Sequence, residues 1–170
     1  MTMTWMTVAA VLSAQALPAQ AAQHSASHSA PPGAAAETAR SSDEIAVKQV
    51  LARYKQAIEK LDASGTEALF AADSAIFETG GSEGGYTQYL SHHLGPELKA
   101  FKSFAFSDYQ VSVRFVGPVA LATETYNYRI ETKTGEIAER RGVATSVLQK
   151  IGGQWKILSM HGSARKPKGS

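Results

Sequence analysis

Near residue 103 the hydrophobic pattern of this chain changes its period, and the change divides what its two halves can become. Before it, Ile45, Val47, Val50, Leu51, Tyr54, Ile58 and Leu61 recur close to the 3.6-residue repeat of a helix with one buried face. After it, Tyr109, Val111, Val113 and Phe115 alternate, as do Ala120, Ala122, Glu124, Tyr126, Tyr128 and Ile130. Such alternation marks strands with one covered face. Two more strands are expected over 137–149 and 154–164, with turns at Gly117-Pro118, Lys133-Thr134-Gly135 and Ile151-Gly152-Gly153. Helices followed by an antiparallel meander predict an α+β domain, its N-terminal helices packed on one face of an antiparallel sheet.

The first half divides further. Ser42-Asp43-Glu44 reads as a helix cap with acid in the first turn. A break at 62–65 leads to a short helix over 66–72 and a strand over 75–79. Residues 80–85, Gly-Gly-Ser-Glu-Gly-Gly, lack the Gly-Lys-Ser/Thr of a phosphate cradle and read as a strand-to-helix loop. A helix over 86–94 ends at Gly95-Pro96, with a further turn reaching Phe101. In the last strand, Trp155 and Ile157 alternate onto one face and Leu158 and Met160 onto the other. Helices cover only one side of such a sheet, so a homodimer is expected to cover the second.

Composition excludes several roles. A formal charge of +2 over 170 residues is too small an excess for a nucleic-acid footprint. The absence of cysteine removes disulfides, thiolate metal sites and thiol nucleophiles. The apolar run 5–17 followed by Pro-Ala-Gln-Ala-Ala-Gln reads as a signal peptide over 1–22, although no Lys or Arg precedes the run. A periplasmic or secreted protein with no membrane span after cleavage is the expectation. Residues 23–42, rich in His, Ser, Ala and Pro, read as a flexible linker in which His24 and His28 are solvated. The domain is placed at 43–165 and a basic tail at 166–170.

The order helix, short helix, strand, helix and long strands closing on Gly153-Gln154-Trp155-Lys156-Ile157 resembles the nuclear transport factor 2-like superfamily over residues 43–165. Leu69-Phe70-Ala71-Ala72-Asp73 is similar to its turn before the first strand. The resemblance implies a cone-shaped roll with a pocket at its open end and dimerisation through the sheet. Residues 54–78 are similar to the N-terminal part of bacterial ketosteroid isomerases, which implies Tyr54 as carbonyl-polarising donor and Glu78 as proton shuttle. Those enzymes add a protonated aspartate on a later strand, where residues 143–148 here carry no acid. The chain also resembles exported members with polyketide-cyclase-like (SnoaL-like) domains.

Alternation puts Glu78 on the face of Ile76, where a carboxylate among apolar neighbours can shuttle protons; the alternative is a strand-end glutamate in water. Tyr54 is either that donor or a core aromatic with a satisfied hydroxyl. His161 and Ser163 share parity with Trp155 and Ile157 and are expected in the pocket, His161 as a proton relay or a structural histidine. Of His92 and His93, the helix stripe turns His93 inward, beside Tyr89. Tyr126 and Tyr128 are expected as core packing or as an aromatic wall, with Glu124 as a further acid, and Arg141 as a partner for a pocket acid or an anionic ligand, or as a residue of the rim. His93, His161 and Glu78 could form a two-histidine, one-carboxylate metal face, but the spacing does not demand it, and no metal or organic cofactor is assigned. Three readings stay open: a cofactor-independent isomerase, cyclase or dehydratase acting on an apolar carbonyl substrate, a non-catalytic ligand-binding module, and a structural association domain.

Overall fold

A computed structural model describes residues 32–167, with side chains from residue 36 onward. The expected signal peptide and the first part of the expected linker lie outside the described residues. Helix α1, Pro32–Glu59, opens inside the stretch read as linker. Proline is favoured in a first helical turn and the alanines beyond it are strong helix formers, so the helix extends past the Ser42-Asp43 cap expected from sequence. Val47, Val50, Leu51 and Ile58 form its buried stripe, none more than 6 % exposed. Ile45 does not join them. It lies two residues, or about 200°, from Val47 on the helix wheel and is 58 % exposed.

A 3-10 turn, Thr66–Leu69, leads into β1, Phe70–Glu78. Thr79 and Gly80 both take positive φ, 40° and 88°, and form a tight turn into β2, Gly81–Gly84. The expected glycine-rich loop is therefore largely a hairpin strand, hidden in the sequence because Gly-Ser-Glu-Gly shows no apolar alternation. A three-part helical segment follows: α2, Tyr86–Tyr89; a π turn, Leu90–Leu94; and α3, Gly95–Ala100. Gly95-Pro96 does not break it. A side chain at Gly95 would stand 2.6 Å from the Leu90 carbonyl oxygen, so glycine admits the wide turn and Pro96 begins the next.

The long strands are β3, Phe101–Val116; β4, Val119–Thr132; β5, Ile137–Ile151; and β6, Gln154–Arg165. They form one six-stranded sheet in the order β2-β1-β6-β5-β4-β3, antiparallel except where β1 runs parallel to β6. Ile76, Leu148 and Ile157, fully buried, meet the α1 stripe in the core. Each such side chain contributes roughly 1.5–3 kcal/mol on burial.

Bulges decide which residues face inward. In β3 the register shifts between Ser107 and Gln110, where Asp108 has φ 52°, so Phe104 and Phe106 before the bulge and Tyr109 and Val111 after it share the concave side. In β6 the register shifts because Val147 pairs with Ser159 but Leu148 pairs with Ile157, leaving Leu158 as the extra residue. Beyond it the parity inverts. Met160 joins Trp155 and Ile157 inside, which removes the two-faced apolar pattern from which a dimer was expected, and His161 turns to the exposed face.

Asp43, expected as a cap, ties α1 to the sheet: its carboxylate accepts from Trp155 Nε1 at 3.0 Å and from Lys150 Nζ. Lys150 first and Trp155 second hold its carboxyl below the usual range. A depressed acid stabilises the fold above its unfolded pKa and loses that contribution as pH falls through the folded value. Asp43→Ala is expected to cost about 1 kcal/mol at neutral pH. The deficit against wild type should shrink in thermal melts toward pH 3.

Candidate functional site

At the open side of α1 lies a cavity of about 260 Å³. Tyr54 and Ile58 of α1 form its floor, β1 supplies Glu78, the helical segment supplies Tyr89 and Glu97, and β3 and β4 supply Phe104, Phe106, Tyr126 and Tyr128. The rings brace one another, Phe104 stacked on Tyr128 at 5.3 Å and Phe106 edge-on to Tyr126 at 5.0 Å. A more open groove of about 630 Å³ lies between α1, the 3-10 turn and the β5–β6 turn, where Lys150 and Asp43 neutralise each other.

The structure brings Glu78, Tyr54, Tyr89, Tyr126 and Tyr128 together around this cavity, with His93 outside the lining, beside Glu78. Tyr89 donates its hydroxyl to Glu78 Oε1 at 2.8 Å, and the Tyr54 side chain lies beside Tyr89. Burial pushes both phenols well above their ordinary range, so they are protonated donors at any working pH. Tyr89, and not Tyr54, therefore makes the direct contact with the carboxylate. His93, carried on the π turn, sets Nε2 3.4 Å from Glu78 Oε2 and Nδ1 3.3 Å from Glu83 Oε2. Its Nε2 is also 3.4 Å from Glu97 Oε1. One imidazole therefore links β1, β2 and α3.

Two expected site residues are placed elsewhere. His161 sits on the exposed face of β6 because of the Leu158 bulge, paired with Thr145 and Phe77 across the sheet. It cannot relay a proton to Glu78 or complete a metal face with His93. Arg141 shares parity with the exposed Val143 and lies on the outer side of β5, so it pairs with no cavity acid. Ser163 reaches only the rim. Among the described residues no group of three or more His, Asp or Glu is arranged to hold a metal ion.

Sequence reasoning missed Glu97, Glu83 and the phenylalanine wall. Glu97 lies four residues after His93, a spacing that pairs side chains along a helix, but Gly95-Pro96 between them argued against helical continuity. Phe104 and Phe106 alternate on even positions while Tyr109 and Val111 alternate on odd ones, and that parity switch was the available sign of a bulge. Burial pushes the Glu97 carboxyl up, with Glu78 and Glu83 adding to the effect and His93 opposing it.

Glu124 is a second interior acid, 8 % exposed, which accepts a short hydrogen bond from Tyr109. Burial raises its pKa, and the Tyr109 bond offsets the rise only in part. An acid raised on folding binds its proton more tightly in the folded state. Stability therefore falls as pH climbs from the unfolded value through the folded one. Glu124→Gln is expected to flatten that fall and to raise the melting temperature by a few degrees above pH 7, as about 1 kcal/mol does in a domain of this size. Melts across pH 4–9 check it, and a variant with the wild-type slope removes Glu124 as the source.

A curved sheet around a long helix, with an aromatic pocket holding a tyrosine-bound carboxylate at the end of its first strand, defines a nuclear transport factor 2-like pocket protein. Residues 47–167 match the SnoaL-like domain, and the chain belongs to that family. No functionally curated protein matches it. Among solved structures it is similar to a nuclear transport factor 2-like superfamily protein from Salmonella enterica, at 22% identity and TM-score 0.66, covering 78% of this chain and 96% of that one. A candidate ketosteroid isomerase from Shewanella frigidimarina is 24% identical with TM-score 0.59, over 69% and 94% of the two chains. A type 2 hexachlorocyclohexane dehydrochlorinase is 13% identical with TM-score 0.66, over 79% and 99%. At these identities the likeness establishes the fold.

Proposed function

We propose that this protein binds a small, largely apolar carbonyl compound and moves a proton on it, with Glu78 as general base. The observation that carries this reading is the Tyr89 to Glu78 hydrogen bond at the wall of an aromatic cavity. One carboxylate oxygen is fixed by the phenol, and the other, 3.4 Å from His93 Nε2, is the one proposed to take the proton of a substrate C–H. The phenols of Tyr126 and Tyr128, on the same wall, serve as donors to the developing oxyanion. A dehydrochlorinase and a candidate ketosteroid isomerase share this fold, which supports proton transfer as the chemistry, and no organic cofactor is invoked. The test is hydrogen–deuterium exchange at the α-carbon of β-tetralone in D2O, followed by NMR. Exchange well above the buffer rate is expected, and a buffer rate at saturating ketone would leave a binding module.

Export and a homodimer belong to the same proposal. The outer face of the sheet exposes Phe77 and Val143, 38 % and 41 % exposed, on the side to which His161 also points. We expect two copies to meet there. Val143→Glu should then halve the mass measured by light scattering, and a wild-type monomer would discard the dimer. No helix among the described residues is long and apolar enough to cross a membrane.

A further inference from the structure

We propose that the cavity selects for positive charge: its ligand is a ring carbonyl compound that also bears a protonated amine, the rings against Phe104, Phe106 and Tyr128 and the ammonium toward Glu97 at the rim. The inference rests on the cavity being a small-molecule site, and it does not require Glu78 to act as a base.

The residues that line the cavity include the carboxylates of Glu78 and Glu97 and the aromatic wall, and none of them is lysine, arginine or histidine. Behind the two carboxylates stands a third, Glu83, joined to them through His93. Three carboxyl groups around one imidazole leave the mouth with a surplus of acidic side chains. Burial disfavours charge on Glu97, His93 offsets that only in part, and Glu78 and Glu83 add to the penalty. A bound ammonium relieves both. A carboxylate ligand would bring a further negative group to the same place, and a neutral ring would stack without answering the charge.

The wall suits a cation as well. Aromatic faces carry negative quadrupole potential, and a cation within about 6 Å of a ring centroid is attracted to it. Phe106 already accepts one: Lys55 Nζ lies 5.3 Å from its centroid and 5.4 Å from that of Tyr109. That ammonium is held at 2.7 Å by Glu59, so it is not free to neutralise the cavity acids. Arg140 comes near Tyr128, but it lies outside the lining and donates Nη1 to the Glu139 carbonyl. Glu97, 49 % exposed at the rim and not the proposed base, is the specificity-determining residue.

The experiment is calorimetric titration of the full chain with naphthylmethylamine, naphthylmethanol and naphthoate, probes matched in ring and size. The amine is expected to bind about tenfold or more tighter than the alcohol, with naphthoate weakest. Glu97→Gln should remove most of the preference for amine over alcohol. Equal affinities, or naphthoate tightest, would overturn charge selection and leave the pocket standing. A full preference retained in Glu97→Gln would overturn the role given to Glu97. No heat with any probe, in protein of native circular dichroism, would overturn the selection and the pocket together. Amine-selective binding without α-proton exchange on β-tetralone would support the selection while removing the base.

Discussion

Glu78→Gln should slow α-proton exchange on β-tetralone by about 10²–10⁴-fold, the usual contribution of a positioned general base, while ketone affinity stays within a few-fold of wild type. The separation follows from geometry. Glutamine keeps an oxygen able to accept the Tyr89 hydroxyl, which now sits 2.8 Å from Oε1, so the side chain stays in place while its basicity is lost. Tyr89→Phe should act differently, removing the bond that orients the carboxylate and lowering exchange by about tenfold. An unchanged exchange rate in Glu78→Gln would move the chemistry to another group. Parallel losses of rate and affinity would show a binding residue only.

Gly142→Ala is expected to close the cavity. A methyl group there would stand 2.2 Å from Tyr126 Cε2 and 2.8 Å from Cζ, distances no real contact adopts. The φ of Gly142 is not in the left-handed region, so the backbone tolerates alanine and the conflict falls on the ring. Tyr126 is hemmed in by Phe106 at 5.0 Å and by Tyr109 at 6.0 Å, which leaves the cavity as its direction of escape. Overpacking of this kind costs about 1–3 kcal/mol of stability. Displacement of the ring should also weaken naphthylmethanol by about tenfold to a hundredfold, or 1.4 to 2.8 kcal/mol. The double variant Gly142→Ala, Tyr126→Leu removes the clash, so its stability should exceed the additive expectation. Additive losses, or a wild-type affinity in the single variant, would show that the ring moves elsewhere.

What could be read from the residues followed hydrophobic period, and what could not followed hydrogen-bond register. The switch of period near residue 103 gave the α+β architecture, and alternation placed Glu78 with Ile76 and Tyr126 with Tyr128 on the concave side. Parity carried the argument only as far as the first bulge. One extra residue at Leu158 sent His161 outward and Met160 inward, and nothing in Ile-Leu-Ser-Met announces a bulge. Arg141 failed differently: its parity with Val143 was right, but the side of β5 to which that parity belongs was not. The helical continuity from Tyr86 to Ala100 was hidden because Gly95-Pro96 ordinarily ends a helix, and the π turn that accommodates it is a backbone matter.

The single parallel pairing of the sheet fixes when this site can exist. Glu78 is held opposite Gly162, and Thr79 donates its amide to the Gly162 carbonyl at 3.2 Å, so the strand bearing the carboxylate docks on β6, the strand farthest from it in sequence among the described residues. During synthesis β1 can pair with β2 at once, but its other edge waits until β3, β4, β5 and β6 have been added. Pairings so distant along the chain are slow to close. Chains released a few residues short of residue 162 would keep most of the meander and lose the backbone that holds the end of β1, which makes an intact β6 a condition for the site.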